Sequence, residues 1–157
     1  MNFDVEYPIR KPAQLRVSFK PFVHPSQKKD DWIYQKVPLS NLYLFSGEMP
    51  ENMIIHLAGL LTPFFGWKTV RIQANDFPDA IYQDIATGTN IRVEFEKRSS
   101  DFIIHDHPAS ECDIILCWED DLTDSEKQHI LAKNPNIRIV ELKKIFFHYD
   151  IEVIPVE

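Results

Sequence analysis

Asp79, Glu94 and Glu96 are the residues whose types and spacing best suit a chemical task. Asp79 follows Pro78 in "FPDA", and the two glutamates stand one residue apart in "IRVEFE". On a strand, positions i and i+2 point to the same face, so Glu94 and Glu96 lie side by side and repel. Such a pair is tolerated on a solvated face, or where a cation sits between the carboxylates. The segments "AIYQDI", "ATGTN" and "NIRVEFE" read as strand, turn and returning strand. Antiparallel neighbours lie about 5 Å apart, which lets Asp79 face the glutamate pair. Three converging carboxylates make a hard-oxygen site suited to Mg²⁺ or Mn²⁺. A metal held there activates water and offsets the charge that builds on a phosphodiester. The spacing alone also fits a solvated edge strand, with Arg92 and a neighbouring lysine balancing the glutamates.

The elements that must position these residues are legible around them. "SGEMPENMIIHLAGLLTPFFG" carries a start signal and apolar residues at Met53, Ile54, Leu57, Leu60 and Leu61, the spacing of one helix face. Pro63 and Gly66 are expected to end that helix. "WKTVRIQ" reads as a strand and "RSSDFIIHDHPASE" as a short helix or loop. "CDIILCW" is a continuous apolar run, expected as a central strand buried on both faces. In "LTDSEKQHILAKNP", Thr123 followed three residues later by Glu126 marks a capped helix, and "NIRIVEL" reads as a further strand. The closing "KKIFFHYDIEVIPVE" is a helix turn or strand. The order predicts an α/β (α+β) fold with a mixed central sheet flanked by helices. Residues 1–45, rich in proline and aromatics with a possible strand at "LRVSFKPF", read as an N-terminal extension or arm on a core of residues 46–157.

The chain has 157 residues, 44% hydrophobic and 26% charged, enough to bury a core in one domain. No apolar run approaches the ~20 residues that span a bilayer, and "MNFDVEYPIRKP" has no apolar leader core. A cytoplasmic protein that does not enter membranes is expected. The two cysteines, Cys112 and Cys117, are too few for a disulfide framework and fit a reducing compartment. The net charge of −7 argues against indiscriminate nucleic-acid binding. It leaves room for a local basic groove, and the basic residues cluster early, at Arg10, Lys11, Arg16, Lys20, Lys28 and Lys29. There is no G-x-S-x-G elbow, no phosphate-cradling glycine loop and no dinucleotide fingerprint.

The pattern "FPDA…IRVEFE" resembles the PD-(D/E)XK nuclease superfamily, the fold of many restriction endonucleases. The longer string "GW…FPDA…VEFEKRSSDF…HDH…CDIILCW…IVEL", over residues 46–145, also resembles a bacterial family built on that core. The resemblance implies a restriction-endonuclease-like core. It implies that Asp79 and Glu94 ligate Mg²⁺ or Mn²⁺, helped by the backbone carbonyl of Phe95. Glu96 stands where lysine is usual, a departure shared by a few restriction enzymes; it leaves open the general base and the transition-state cation. Arg92, on the glutamates' face, is a candidate for that charge, whereas Lys97 should point to the opposite face. Such folds often add an acid from the first helix; Glu51 is the candidate, with Glu48 second. The implied activity is metal-dependent hydrolysis of phosphodiester bonds, in DNA before RNA. The alternative is a catalytically silent nuclease-fold module that binds or regulates within a larger complex. The chain is expected to act as a homodimer or as a subunit, because two strands need two sites.

"HDHPASECDIILC" offers His105, His107, Cys112 and Cys117 as zinc-type ligands. The cysteines are five residues apart, so a continuous strand would point them to opposite faces, against one four-ligand site. His105 and His107 can instead reach the cleft, with His107 binding phosphate or shuttling a proton; the alternative is a polar loop. Asp113 is expected to cap, to pair, or to orient one of these histidines. Trp118 is expected in the core.

Overall fold

The computed structural model describes residues 49–73 and 75–146, and outside them the backbone of a few strands and of the last helix. Five strands form a mixed sheet, β4 (Trp67–Ile72), β5 (Ala80–Asp84), β6 (Asn90–Arg98), β7 (Ile114–Glu119) and β8 (Arg138–Glu141), in that spatial order. β4, β5 and β6 run antiparallel, and β6, β7 and β8 run parallel. The α/β expectation is met: helices flank a mixed sheet.

Earlier in the chain, β1 (Gln14–Pro21) pairs antiparallel with β9 (Tyr149–Val156), and β2 (Val37–Leu39) with β3 (Leu42–Leu44). The expected strand at "LRVSFKPF" is therefore β1. It is joined by backbone hydrogen bonds to the other end of the chain.

Helix α1 (Glu51–Phe65) buries Ile54, Leu57, Ala58 and Leu61. They pack on Ala80, Tyr82, Val93, Phe95, Ile114, Leu116 and Trp118 of the sheet, with Leu142 and Phe146 of α4 (Leu142–His148) beside them. Pro63 does not end α1, contrary to expectation; it lies inside the last turn. Proline cannot donate to the carbonyl of Gly59, and the hydroxyl of Thr62 donates there instead, at 2.9 Å. The stop comes at Gly66, whose φ of 71° places it in the left-handed region.

The opposite face of the sheet is covered by α2 (Asp101–Ile104), a 3₁₀ turn (Ala109–Glu111) and α3 (Asp124–Lys133). Phe102, Ala109, Cys112, Ile115, Leu122, Ile130 and Ile137 make this second core. The Thr123 hydroxyl accepts from the Glu126 amide, and the Glu126 carboxylate accepts from the Thr123 amide at 2.8 Å, completing the expected capping box. β7 is buried on both faces, as its apolar run predicts. The strand begins only at Ile114, so its alternation does not reach Cys112. That thiol packs with Ile115 in the second core, and the expectation that the two cysteines sit on opposite faces of one strand fails. Both thiols are buried and free.

Because Leu116 is fully buried between α1 and α4, Leu116→Ala is expected to lower the unfolding free energy by about 2–5 kcal/mol. Thr123→Ala is expected to lower it by about 1 kcal/mol. Urea titration measures both; a Leu116→Ala loss under about 0.5 kcal/mol, the level of a surface change, would contradict this packing.

Candidate metal centre

β6 is the middle strand, and its alternation divides the molecule. Val93 and Phe95 point into the α1 core. Glu94 and Glu96 point to the other face, yet are only 4% and 3% exposed. The solvated edge-strand reading is thereby excluded. β6 has neighbours on both sides, and the carboxylates are covered.

Asp79 arrives where the hairpin pairing predicts. Ala80 is opposite Val93 in the β5–β6 ladder, so the preceding residue falls beside Glu94. The Asp79 amide donates to Glu94 Oε2 at 3.0 Å, and the Phe95 amide donates to Asp79 Oδ2 at 2.9 Å. Gln73 fixes the loop from the other side: its amide donates to the Asp79 carbonyl at 2.7 Å, and its side chain donates to the Pro78 carbonyl.

Two histidines close the cluster. His107 Nε2 lies 3.1 Å from Glu94 Oε1 and 3.5 Å from Glu96 Oε1, and His105 Nδ1 lies 3.2 Å from Glu96 Oε1. The end of α2 puts them there. Asp106 has a φ of 54°. Its amide donates to the Ile103 carbonyl and the His107 amide donates to that of Phe102, at 3.0 and 3.2 Å. This is a Schellman ending with aspartate in the left-handed position, a residue that tolerates it. The turn aims both flanking imidazoles at Glu96. Phe77 stacks on the His107 ring, with centroids 4.9 Å apart and planes at 20°, and Phe102 leans on it at 5.5 Å.

The electrostatics follow from this crowding. Burial, followed by the Asp79 charge, pushes the Glu94 carboxyl up to about 8. Burial, followed by the charges of Asp101, Glu51 and Asp79, pushes Glu96 up to about 8. Asp79 is raised too, chiefly by burial, with the Phe95 amide opposing and Glu51 adding to the rise. Burial, and then the neighbouring His105, hold His107 below its usual value. The His107–Glu94 contact is thus a hydrogen bond between groups both held towards their neutral forms, not an ion pair. Glu51, in the first turn of α1, belongs to the same field of charge; Glu48 lies outside the described residues.

Arg92 does not serve this site. Its Nε and Nη2 donate to the two oxygens of Asp113, at 3.0 and 2.8 Å, a bidentate pair that holds the Asp113 carboxyl below its usual range. Asp113 accordingly orients neither histidine. Among the described residues, the groups touching Glu94 and Glu96 that can turn cationic are imidazoles.

Glu96, His105 and His107 offer ligand atoms all within 4.8 Å of one another, so this group could bind a metal ion. One carboxylate and two imidazoles form a donor set for a divalent transition ion. Asp79 and Glu94 add oxygen donors alongside. The Phe95 ring lies in the core while its amide holds Asp79. The cysteines take no part; burial pushes the Cys112 thiol up to about 12 and Cys117 still higher. Asp101 and Phe77 join the site without having been singled out in the sequence. The one signal for Phe77 was its place two residues before Asp79.

Among the described residues no helix is long and apolar enough to cross a membrane. The chain matches no protein-family model, no curated protein and no solved structure.

An acid raised by folding binds more protons in the native state than in the unfolded chain. Without metal, stability should therefore fall as pH rises from the unfolded glutamate value of 4.5 towards about 8. His107 acts oppositely at the acid end, losing stability as pH falls below 6.5. Melting temperatures in EDTA should thus decline from about pH 6 to about pH 8. Glu94→Gln, which mimics the uncharged acid, should flatten the decline. A wild-type melting temperature that rises across this window would refute the electrostatic description.

Proposed function

We propose that this chain is a divalent-metal-dependent phosphodiesterase acting on nucleic acid, DNA foremost. The observation that carries the reading is the buried carboxylate pair Glu94 and Glu96, joined by Asp79 and edged by two imidazoles. Like charges so close and so covered are costly without a counter-charge. A divalent cation supplies one, and the donor set is right for it.

Mg²⁺ and Mn²⁺ both accept carboxylate oxygen; imidazole tips the choice towards Mn²⁺. Asp79, Glu94 and Glu96 would hold the ion, with His105 completing its shell. When bound, the ion would acidify a water and offset charge on the phosphate. Glu96 replaces the lysine usual in the PD-(D/E)XK pattern, so His107, 3.1 Å from Glu94 and the less exposed of the two imidazoles, takes its place as the group able to pass a proton. Phe77 and Phe102 keep that ring in position and limit water on its buried side. The likeness of "FPDA…IRVEFE" to that superfamily supports the same chemistry.

Nuclease assays on supercoiled DNA, single-stranded DNA and RNA test this reading. Cleavage should require metal, be faster with Mn²⁺ than with Mg²⁺, stop in EDTA, and fall at least about a hundredfold in Asp79→Asn and Glu94→Ala, the scale of one removed catalytic group. His107→Ala should lose less with a good leaving group than with the natural ester. No cleavage of any substrate by the wild-type protein under these conditions would refute the activity, and a silent binding module would then be the better description.

A further inference from the structure

Beside the metal centre lies a cavity of about 80 Å³, lined by Phe102, Ile103, Asp106, His107, Ala109, His129, Ile130 and Lys133. It has room for several waters. His107 is the wall it shares with the carboxylate cluster. The floor is apolar, from Phe102, Ala109 and Ile130 of the second core. Its rim carries His129 and Lys133, four residues apart and so on one side of α3. Neither has an acidic partner among the described residues, whereas the neighbouring Lys127 is bound to Asp120 at 2.9 Å. Asp106 is the one acid on the rim. The walls are held rigidly: the Asn134 side-chain amide donates to the carbonyls of Ala109 and Cys112, at 3.0 and 2.8 Å, locking the end of α3 to the 3₁₀ turn.

We propose that this cavity is a phosphate-binding subsite, with Lys133 and His129 as the donors. Lys133 supplies the fixed positive charge and His129 a ring N–H, and the floor excludes bulk water behind them. Identifying its occupant as the phosphate next to the scissile one rests on the phosphodiesterase reading. A backbone running from the metal centre across His107 would place that neighbouring phosphate at α3. Arg92, on the glutamates' side of β6, is already held by Asp113.

The test is an NMR titration of the full-length chain, metal-free in EDTA, following the histidine ring signals. Inorganic phosphate is added against chloride at matched ionic strength. The His129 signals should shift saturably with phosphate and not with chloride, and Lys133→Ala should weaken that binding about tenfold or more, the loss of one hydrogen bond to a charged group. Lys133 is exposed, so the variant should fold with an unchanged melting temperature. In a second arm, a labelled oligonucleotide is bound at increasing salt, and Lys133→Ala should reduce the slope of log affinity on log salt by about one. No saturable His129 shift, or one unaltered in Lys133→Ala, overturns the subsite even if nucleic acid is cleaved. A saturable shift lost in Lys133→Ala supports it even if no nucleic acid is cleaved, and the phosphodiesterase reading then fails by itself.

Discussion

Two glutamates buried side by side on the middle strand of a five-stranded sheet are the constraint on which the rest of this structure turns. A carboxylate taken from water needs hydrogen bonds or a counter-charge. Glu94 obtains the Asp79 amide and the His107 ring, and Glu96 obtains both imidazoles. These contacts satisfy oxygens, but they add no fixed positive charge. Arg92, on that face, is held by Asp113. The protein tolerates the arrangement by holding the acids towards their protonated forms, a condition that a bound cation would reverse.

Three separate pieces of backbone serve that one spot. The β5–β6 hairpin carries Asp79 in, the Schellman ending of α2 turns the two imidazoles over the strand, and the start of α1 brings the Glu51 charge near. Strand alternation keeps this chemistry apart from the fold's own support. Val93 and Phe95 hold β6 onto α1 from behind, while Glu94 and Glu96 face forward. Substitutions on the two faces therefore act differently, on core packing behind and on the charge balance of the cluster in front. The second core, beneath α2 and α3, anchors the turn that carries the histidines, so the site's precision depends on packing at Phe102 and Ile115.

Most of the elements were legible from local signals because each had a short-range cause. The apolar run of β7 encoded burial on both faces, Thr123 and Glu126 encoded a helix start, and the i, i+2 glutamates encoded a shared face. What could not be read was long-range. Nothing near Arg92 says that Asp113, just before the next strand, will claim it. Nothing in "HDHP" says that a left-handed Asp106 will aim both imidazoles inward, and the α3 residues beside His107 come from more than twenty positions away. Pro63 shows the opposite error. Its usual meaning as a helix stop failed because Thr62 supplies the hydrogen bond that proline cannot.

The central claim is that the buried acids are made to hold a cation. The direct measurement is anomalous diffraction at the manganese edge from crystals of the wild-type protein soaked in Mn²⁺. The structure predicts a strong peak among Glu96, His105, His107 and the Asp79–Glu94 pair, at the ~2.0–2.3 Å distances of divalent oxygen and nitrogen ligation. A peak absent from the cluster in a fully soaked crystal would contradict the claim, and the pair would then be a protonated, purely structural feature of the sheet.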